Sequence, residues 1–247
     1  MKPYRYIGEE LDVFAHAQNW KTYLRSAIGE HLTGDLLEVG AGIGATTRVF
    51  CGARQRSWTC LEPDPHLAAR LERSLADRPM AVSPRVRVGT LRDLPPAPAY
   101  DTILYIDVLE HIEDDRGELK RAAALLRPNG AVVVLSPAHQ QLYTAFDAQI
   151  GHFRRYDRPM FRALTPRGTI LETLRYLDSA GMLLTTANRL FLRSSSPTIA
   201  QVRLWDRFFV TASRQIDPLL GYRVGKSLLG IWRAKVSDMS DTSDHRR

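Results

Sequence analysis

Short apolar runs alternate with helical stretches through the first 140 residues of this 247-residue chain. Each run is brief and apolar, as expected for a strand buried on both faces of a parallel sheet. The alternation predicts a doubly wound α/β sheet with helices on both faces. The predicted strands are Asp35 to Val39, Trp58 to Leu61, Arg85 to Val88, Thr102 to Ile106 and Ala131 to Leu135.

Helical patterns fill the intervals between these strands. We expect helices at Ile43 to Cys51, His66 to Ala76 and Gly117 to Leu126, with Pro128-Asn129-Gly130 ending the last one. Apolar and aromatic residues at helical spacing predict one or two further helices within residues 1–32. A sixth strand is predicted at Ile170 to Leu177 and a seventh at Ser227 to Ala234, where the pattern fits a helix equally well.

A long aromatic and basic segment, residues 180–222, separates the last two predicted strands. An insertion of that length in a compact fold favours a lid or substrate cover. Residues 1–236 are therefore predicted to form a single domain. The polar residues 237–247 are predicted to be a disordered tail.

Composition excludes several classes of protein. An apolar share of 44% and a charged share of 25% are typical of a globular domain. No run of eighteen apolar residues and no secretory signal pattern is found, so we expect a cytoplasmic protein without a membrane span. The net charge of +7 comes mainly from scattered arginines, which indicates no nucleic-acid partner and leaves open an anionic small-molecule substrate.

Three glycines follow the first predicted strand, at Gly40, Gly42 and Gly44. A glycine turn that opens a helix lets a ligand approach the backbone and the unpaired N–H groups of the helix start. The spacing also fits the dinucleotide fingerprint, with Glu62 as a ribose-binding acid. Glu38 argues against a dinucleotide site. It is a carboxylate near the end of a buried strand, where it needs a donor or a cationic partner.

Three segments in order, Leu37 to Gly44, Leu61 to Asp64 and Tyr105 to Ile112, resemble class I S-adenosylmethionine-dependent methyltransferases. The nearest branch acts on small molecules and carries a VLEHI sequence after the fourth strand, here Val108 to Ile112. The resemblance implies a Rossmann-like sheet of seven strands, mostly parallel with an antiparallel last strand. It also implies a cofactor across the carboxyl ends of the first four strands.

The resemblance also implies the residues that hold S-adenosylmethionine. Glu62 would bind both ribose hydroxyls, and the glycine turn would face the methionine part. Thr90 departs from the family, because many relatives have an acidic residue there, beside the adenine amino group. The full expected set is Glu38, Gly40, Ala41, Gly42, Gly44, Glu62, Pro63, Thr90, Leu91, Asp107 and Val108.

The expected acceptor site lies after the fourth and fifth strands. His111 is either a general base or a residue that orients its loop, and His152 with Tyr156 is a second acid/base candidate. Arg154, Arg155 and Tyr143 are candidates for substrate binding, while a purely structural polar network around Asp147 is the alternative. No metal is expected, because no single element carries ligand spacing, and Cys51 and Cys60 are expected to be packing residues.

The sequence therefore predicts a methyltransferase that modifies oxygen, nitrogen or carbon of a small, ring-bearing or anionic acceptor, in a natural-product or glycoconjugate pathway. Three alternatives stay open. An enzyme of the same fold binds S-adenosylmethionine but catalyses cyclisation or elimination. The others are an NAD(P)-dependent oxidoreductase and, from the basic pI near 9.6, an RNA methyltransferase.

Overall fold

The computed structural model describes residues 4–8, 10–77, 79–191 and 197–235, with side chains described up to residue 186 and again from residue 197. Seven strands form one sheet in the order β3-β2-β1-β4-β5-β7-β6. Their bounds are β1 Gly34–Val39, β2 Gln55–Glu62, β3 Arg85–Val88, β4 Tyr100–Ile106, β5 Leu126–Pro137, β6 Thr169–Leu177 and β7 Ser227–Ala234.

The first five strands are parallel to one another, and β7 runs antiparallel to both β5 and β6. The predicted sixth and seventh strands are thus confirmed as β6 and β7, although the sequence pattern of β7 fits a helix equally well. The antiparallel β6-β7 pair also separates this sheet from the order 3-2-1-4-5-6 of dinucleotide-binding domains. The seven-stranded, mostly parallel sheet predicted from the sequence is confirmed.

The helices lie between the strands and before β1. They are α1 Glu10–Phe14, α2 Gln18–Ile28, α3 Thr47–Phe50, α4 Pro65–Ala76, α5 Asp115–Ala124, α6 Ala145–Gln149, α7 Arg158–Ala163, α8 Ser179–Phe191, α9 Ile199–Leu204 and α10 Thr211–Leu219, with a π-helical turn at Trp205–Val210 between the last two.

Two predicted helices differ from the structure. The helix expected at Ile43 to Cys51 covers only Thr47–Phe50, because the turn with its left-handed glycines extends further than its spacing indicated. The helix expected at Gly117 to Leu126 covers Asp115–Ala124, with Asp114 accepting from the Gly117 N–H as its N-cap. Pro128-Asn129-Gly130 does not end that helix. It lies in the first part of β5, where the pairing with β4 shifts register and Asn129 has φ 63°.

Two apolar clusters hold the sheet, one on each face. Leu36, Trp58, Leu104 and Val133 point to the face that α2 covers. Leu37, Ile103, Tyr105 and Val132 point to the face that α5 covers. The strict alternation along β1 and β4 places Glu38 on the α2 face, among the apolar side chains.

The helical insertion, α8 to α10, packs on the α2 side of the molecule. Asp206 accepts from the N–H groups of Asn19 and Trp20, which caps the start of α2. Trp205 packs against Trp20 at a centroid distance of 5.9 Å. The insertion is therefore joined to the N-terminal helix by both polar and aromatic contacts. The predicted tail, residues 237–247, lies outside the described residues.

Candidate active site

The glycine turn after β1 has the backbone conformation that its composition predicts. Gly40, Gly42 and Gly44 have φ of 66°, 55° and 77°, in the left-handed region that side chains disfavour. A Cβ on Gly40 would stand 2.7 Å from Val108 Cγ2, and one on Gly44 would meet Leu71 Cδ1. Positive φ favours glycine at both positions, and close packing adds to that preference.

Glu62 lies at the tip of β2, beside this turn. Its Oε2 accepts from the Gly42 N–H at 2.8 Å and its Oε1 accepts from the Asp64 N–H at 3.0 Å. The side chain is 4% exposed, and burial raises the pKa of the carboxyl. Each oxygen keeps a further lone pair, so a carboxylate fixed in this way can accept from a pair of hydroxyls.

Glu38 is buried on the neighbouring strand, 3% exposed. Its Oε2 accepts from Thr47 Oγ1 at 2.6 Å and from Trp58 Nε1 at 3.0 Å. Burial raises its pKa to about 7 in spite of these donors. The sequence predicts a donor or a cationic partner for Glu38. The structure supplies two side-chain donors, Thr47 and Trp58.

The remaining expected cofactor residues surround the same edge. Ala41 is buried, and Leu91 is 3% exposed in a 3-10 turn that follows β3. Thr90 is exposed, and its N–H and Oγ1 both donate to Asp93 Oδ2, at 2.8 and 3.0 Å. The sequence predicts that Thr90 takes the place of the acidic residue that many relatives have there. In the structure the turn brings the carboxylate of Asp93 next to Thr90, so an acid is present close to that position. Pro63 is half-buried and leads into Asp64, the N-cap of α4.

Asp107 ends β4 in a left-handed conformation, with φ 55°. Asp107 is exposed to solvent as a whole residue, but its carboxyl lies among protein atoms. The loss of water around the carboxyl raises its pKa to about 6. The positive charges that act on it include Lys226 and Lys21.

Lys21 is a residue that sequence reasoning missed. Its side chain is buried in α2, 7% exposed by residue, with Nζ donating to the carbonyl oxygens of Phe14 and Ala17 at 2.7 and 3.2 Å. Burial lowers its pKa to about 8. The only signal in the sequence was a lysine on the apolar face that carries Trp20 and Leu24.

The N-terminal segment, residues 4–8 and 10–14, crosses the carboxyl edge of the sheet. The Tyr6 N–H donates to Asp64 Oδ2 at 2.7 Å, and the Tyr6 ring stands edge-on to His111 at 5.7 Å. Leu11 lies 3.6 Å from the position of a Cβ on Gly42. The sequence placed a cover only at residues 180–222, but this segment also covers the predicted cofactor edge.

His111 and His152 lie together, with ring centroids 4.5 Å apart. Burial, followed by the charge of His152, lowers the pKa of His111 to about 4, so His111 is neutral near pH 7. His152 Nδ1 stands 2.9 Å from Asp147 Oδ1, and its Nε2 stands 3.9 Å from Glu110 Oε1. The neutral His111 can accept a proton or bind a metal. The carboxylate at Nδ1 of His152 fixes the orientation of that ring.

Tyr156 does not pair with His152 in the contacts described. Its ring is fully buried, and its hydroxyl donates to Asp115 Oδ2 at 2.9 Å. Burial, together with Asp115, raises the pKa of Tyr156 above its usual range. The carboxylate beside His152 is Asp147, and an acid/base role for His152 with Tyr156 stays a prediction.

The two arginines that follow His152 are both held by protein groups. Arg155 binds Asp147 through Nε and Nη2, each at 2.9 Å. Arg154 donates to the carbonyl oxygens of Ile112 and Glu113 and pairs with Asp115 at 2.7 Å. Tyr143 donates to the His152 carbonyl at 2.6 Å. These contacts form the polar network that the sequence left as an alternative, and substrate binding by these side chains stays a prediction.

Part of this chain is similar to proteins that are already known. Residues 37–132 match a family of methyltransferase domains. This part of the chain is similar to a methyltransferase domain. The match runs from β1 into β5 and so includes the glycine turn, Glu62 and Asp107.

The chain also resembles curated relatives and solved structures. A demethylmenaquinone methyltransferase of Tropheryma whipplei is 28% identical over 133 residues, 53% of this chain and 54% of the relative. The chain thus aligns with about half the length of that curated relative. The YcgJ protein of Bacillus subtilis has a TM-score of 0.59 at 14% identity, covering 87% of this chain and 98% of that one.

The N-methyltransferase NodS of Bradyrhizobium japonicum, solved with S-adenosylhomocysteine, has a TM-score of 0.55 at 14% identity. The alignment covers 89% of this chain and 87% of NodS. These two structural likenesses show that the chain has a Rossmann-like fold. Among the described residues, none of the helices combines the length and apolarity needed to cross a lipid bilayer.

Proposed function

We propose that this protein binds S-adenosylmethionine at the carboxyl edge of β1, β2 and β4 and transfers its methyl group to a small molecule. The observation that carries the proposal is Glu62, fixed by the N–H groups of Gly42 and Asp64 at the tip of β2. A carboxylate with both oxygens aimed beside a glycine turn suits the two ribose hydroxyls of a nucleoside. The sheet order argues against a dinucleotide domain.

The methionine part of the cofactor is assigned to the turn of Gly40, Ala41 and Gly42, with Val108 behind it. Positive φ at Gly40 and Gly42 leaves the space a ligand backbone needs. Asp107, and Glu38 through its second oxygen, are the acids near the ammonium group. Lys21 is the cation we assign to the carboxylate, because its charge already acts on Asp107.

Leu91, Thr90 and Pro63 are assigned to the adenine and ribose side. Leu91 supplies a buried apolar wall, and Asp93, held against Thr90, supplies an acid for the adenine amino group. The acceptor is assigned to the space beside Asp107, His111 and His152. Methyl transfer from a sulfonium is an in-line displacement, so the groups around the acceptor have to orient it and leave a path for its proton to depart.

A ring-bearing acceptor is favoured within the small-molecule class. The Tropheryma whipplei relative is named for a quinone substrate, and Tyr6, His111 and His152 provide flat surfaces at the acceptor position. We keep oxygen, nitrogen and carbon all open as the methylated atom. The apolar body and polar tips of such a pocket are typical of small-molecule sites.

The test is calorimetric titration of S-adenosylmethionine and S-adenosylhomocysteine into the full chain. We expect binding in the micromolar range, and Glu62→Gln should weaken it by about 10-fold or more, because one hydrogen bond to a charged group contributes about 1.5 to 3 kcal/mol. Glu30→Gln is the matched control, because its side chain is 82% exposed and far from the turn. Binding of NAD without binding of either sulfur ligand would overturn the proposal.

Turnover is tested separately with hydroxylated aromatic acceptors and mass spectrometry. A mass gain of one methyl group together with S-adenosylhomocysteine supports methyl transfer. An isomer of the substrate, formed while the cofactor stays intact, would instead indicate a rearrangement on the same fold.

A further inference from the structure

Glu110 is the buried group of this site whose chemistry the methyl transfer does not use. It follows Asp107 in the 3-10 turn Leu109–His111 and is fully buried. Neither carboxylate oxygen has a hydrogen-bond partner of good geometry among the described residues, although the Ser136 hydroxyl and the charge of Arg155 lie near enough to act on the group. A buried carboxylate with so few partners is costly, and a bound cation would stabilise its charged form.

The ligand atoms of two histidines surround this carboxylate. One ligand atom from each of Glu110, His111 and His152 lies within 4.8 Å of the others. Metal bonds to nitrogen and oxygen are about 2.1 Å, so ligand atoms around one ion stand at most about 4.2 Å apart. The three ligand atoms therefore stand somewhat further apart than around a bound ion, and the side chains have to move closer together for all three to bind one ion.

The surroundings of His152 have the arrangement typical of a metal-binding imidazole. Its Nδ1 meets Asp147 at 2.9 Å, while its Nε2 faces Glu110. A carboxylate on the far nitrogen fixes the ring and makes the near nitrogen a better ligand. Asp147 is in turn held by Arg155 and by the Thr144 N–H, so the ring orientation is set by a rigid network.

The backbone holds the two contributing segments together. The Phe153 N–H donates to the Glu110 carbonyl at 2.8 Å, and Arg154 bridges to the carbonyl oxygens of Ile112 and Glu113. The cluster is thus organised before any ion is bound. Preorganised ligands lose little conformational entropy on binding.

We propose that Glu110, His111 and His152 bind a divalent first-row transition-metal ion such as Zn²⁺, Mn²⁺, Fe²⁺ or Co²⁺. Two imidazoles and one carboxylate suit these ions better than Mg²⁺ or Ca²⁺, which prefer oxygen ligands. Three protein ligands leave coordination positions open, as in catalytic rather than structural sites. The binding itself does not depend on the proposed methyl transfer.

The test uses the full chain, stripped with a chelator and titrated with Co²⁺ and with Zn²⁺ in the absence of S-adenosylmethionine. We expect one ion per chain and visible d–d absorption bands of the Co²⁺ form. Glu110→Gln, which keeps the side-chain volume, should weaken binding more than about 100-fold, and Asp147→Asn should weaken it about 10-fold to 100-fold. His66→Ala is the control, because His66 is exposed on α4. This variant should bind Co²⁺ and Zn²⁺ as tightly as the unaltered chain does.

Thermal unfolding separates a lost ligand from a misfolded variant. Without metal, Glu110→Gln should unfold at the same or a higher temperature, and Zn²⁺ should raise the unfolding temperature of the unaltered chain only. Should that variant fail to fold, His111→Gln takes its place. Equal Co²⁺ affinity in the unaltered chain and the Glu110 or His111 variant, or no saturable binding, would overturn the proposal. Since no cofactor is present, this outcome leaves the proposed function untouched.

Discussion

Single carboxylates at the ends of the first two strands define the site at the residue scale. Glu38 and Glu62 lie on adjacent strands, and both are nearly inaccessible to solvent. They differ in their partners, since Glu62 is held by backbone N–H groups and Glu38 by Thr47 and Trp58. Glu62 therefore lies at the carboxyl edge of the sheet, where we propose that the cofactor binds, while Glu38 is packed beneath that edge.

Burial of Glu38 makes stability depend on pH. Its folded pKa of about 7 lies above the ordinary value of 4.5, so the folded chain holds an extra proton between these values. The contribution to the free energy of unfolding is full below pH 4.5 and is lost as pH rises through 7. It amounts to at most about 3.5 kcal/mol, because one pKa unit corresponds to about 1.4 kcal/mol.

Urea unfolding at several pH values checks this prediction. The free energy of unfolding of the unaltered chain should fall relative to Glu38→Gln between pH 4.5 and 7, because glutamine keeps an acceptor but does not ionise. Parallel curves for the two proteins would contradict the shifted pKa.

The N-terminal segment is the feature that matters most at the element scale. Asp64 caps α4 by accepting from the His66 N–H at 2.7 Å and also binds the Tyr6 N–H. One side chain thus starts a helix and fastens the segment that crosses the ligand edge. Arg70 of the same helix adds an ion pair to Asp12 of α1, at 2.7 Å.

Asp64→Ala should therefore have two effects. Loss of the cap should lower the free energy of unfolding by about 1 kcal/mol. Loss of the Tyr6 contact should raise hydrogen exchange across residues 4–14 and weaken S-adenosylmethionine binding.

Asp157→Ala is the matched control for this variant. Asp157 caps α7 through the Met160 N–H at 2.9 Å but belongs to another part of the chain. It should show the stability loss alone. Equal exchange of residues 4–14 in both variants would show that Asp64 does not hold the segment.

At the scale of the whole molecule, the helical insertion connects α2 to the end of β6. Asp217 of α10, fully buried, accepts from Tyr23 Oη at 2.8 Å and from the N–H groups of Asp178 and Ser179 at 2.7 and 3.0 Å. Asp178 in turn accepts from Trp205 Nε1 at 2.7 Å. Sheet, α2 and insertion therefore meet at two buried aspartates.

Asp217→Ala should destabilise the protein by about 2 to 4 kcal/mol, because it leaves three buried donors without an acceptor. Asp217→Asn keeps one oxygen and should cost less. Urea unfolding followed by tryptophan fluorescence should show a single transition in both variants. A separate early transition would show that the insertion unfolds independently of the sheet.

The sequence by itself determined the sheet and the glycine turn, because both depend on local patterns. Apolar runs at strand length and glycines at a strand end have few alternative structures. Helix lengths near that turn were less certain, as Thr47–Phe50 shows, since spacing does not reveal which glycines take positive φ.

Only the tertiary structure decided which side chains meet. Glu110 and His152 are 42 positions apart in sequence, on different elements, so no local spacing predicts their contact. The same reason applies to Asp217 with Tyr23, and to Tyr6 with Asp64. Contacts of this kind arise when parallel strands bring their carboxyl ends to one edge, which the order of the strands in space controls and the order in the chain does not.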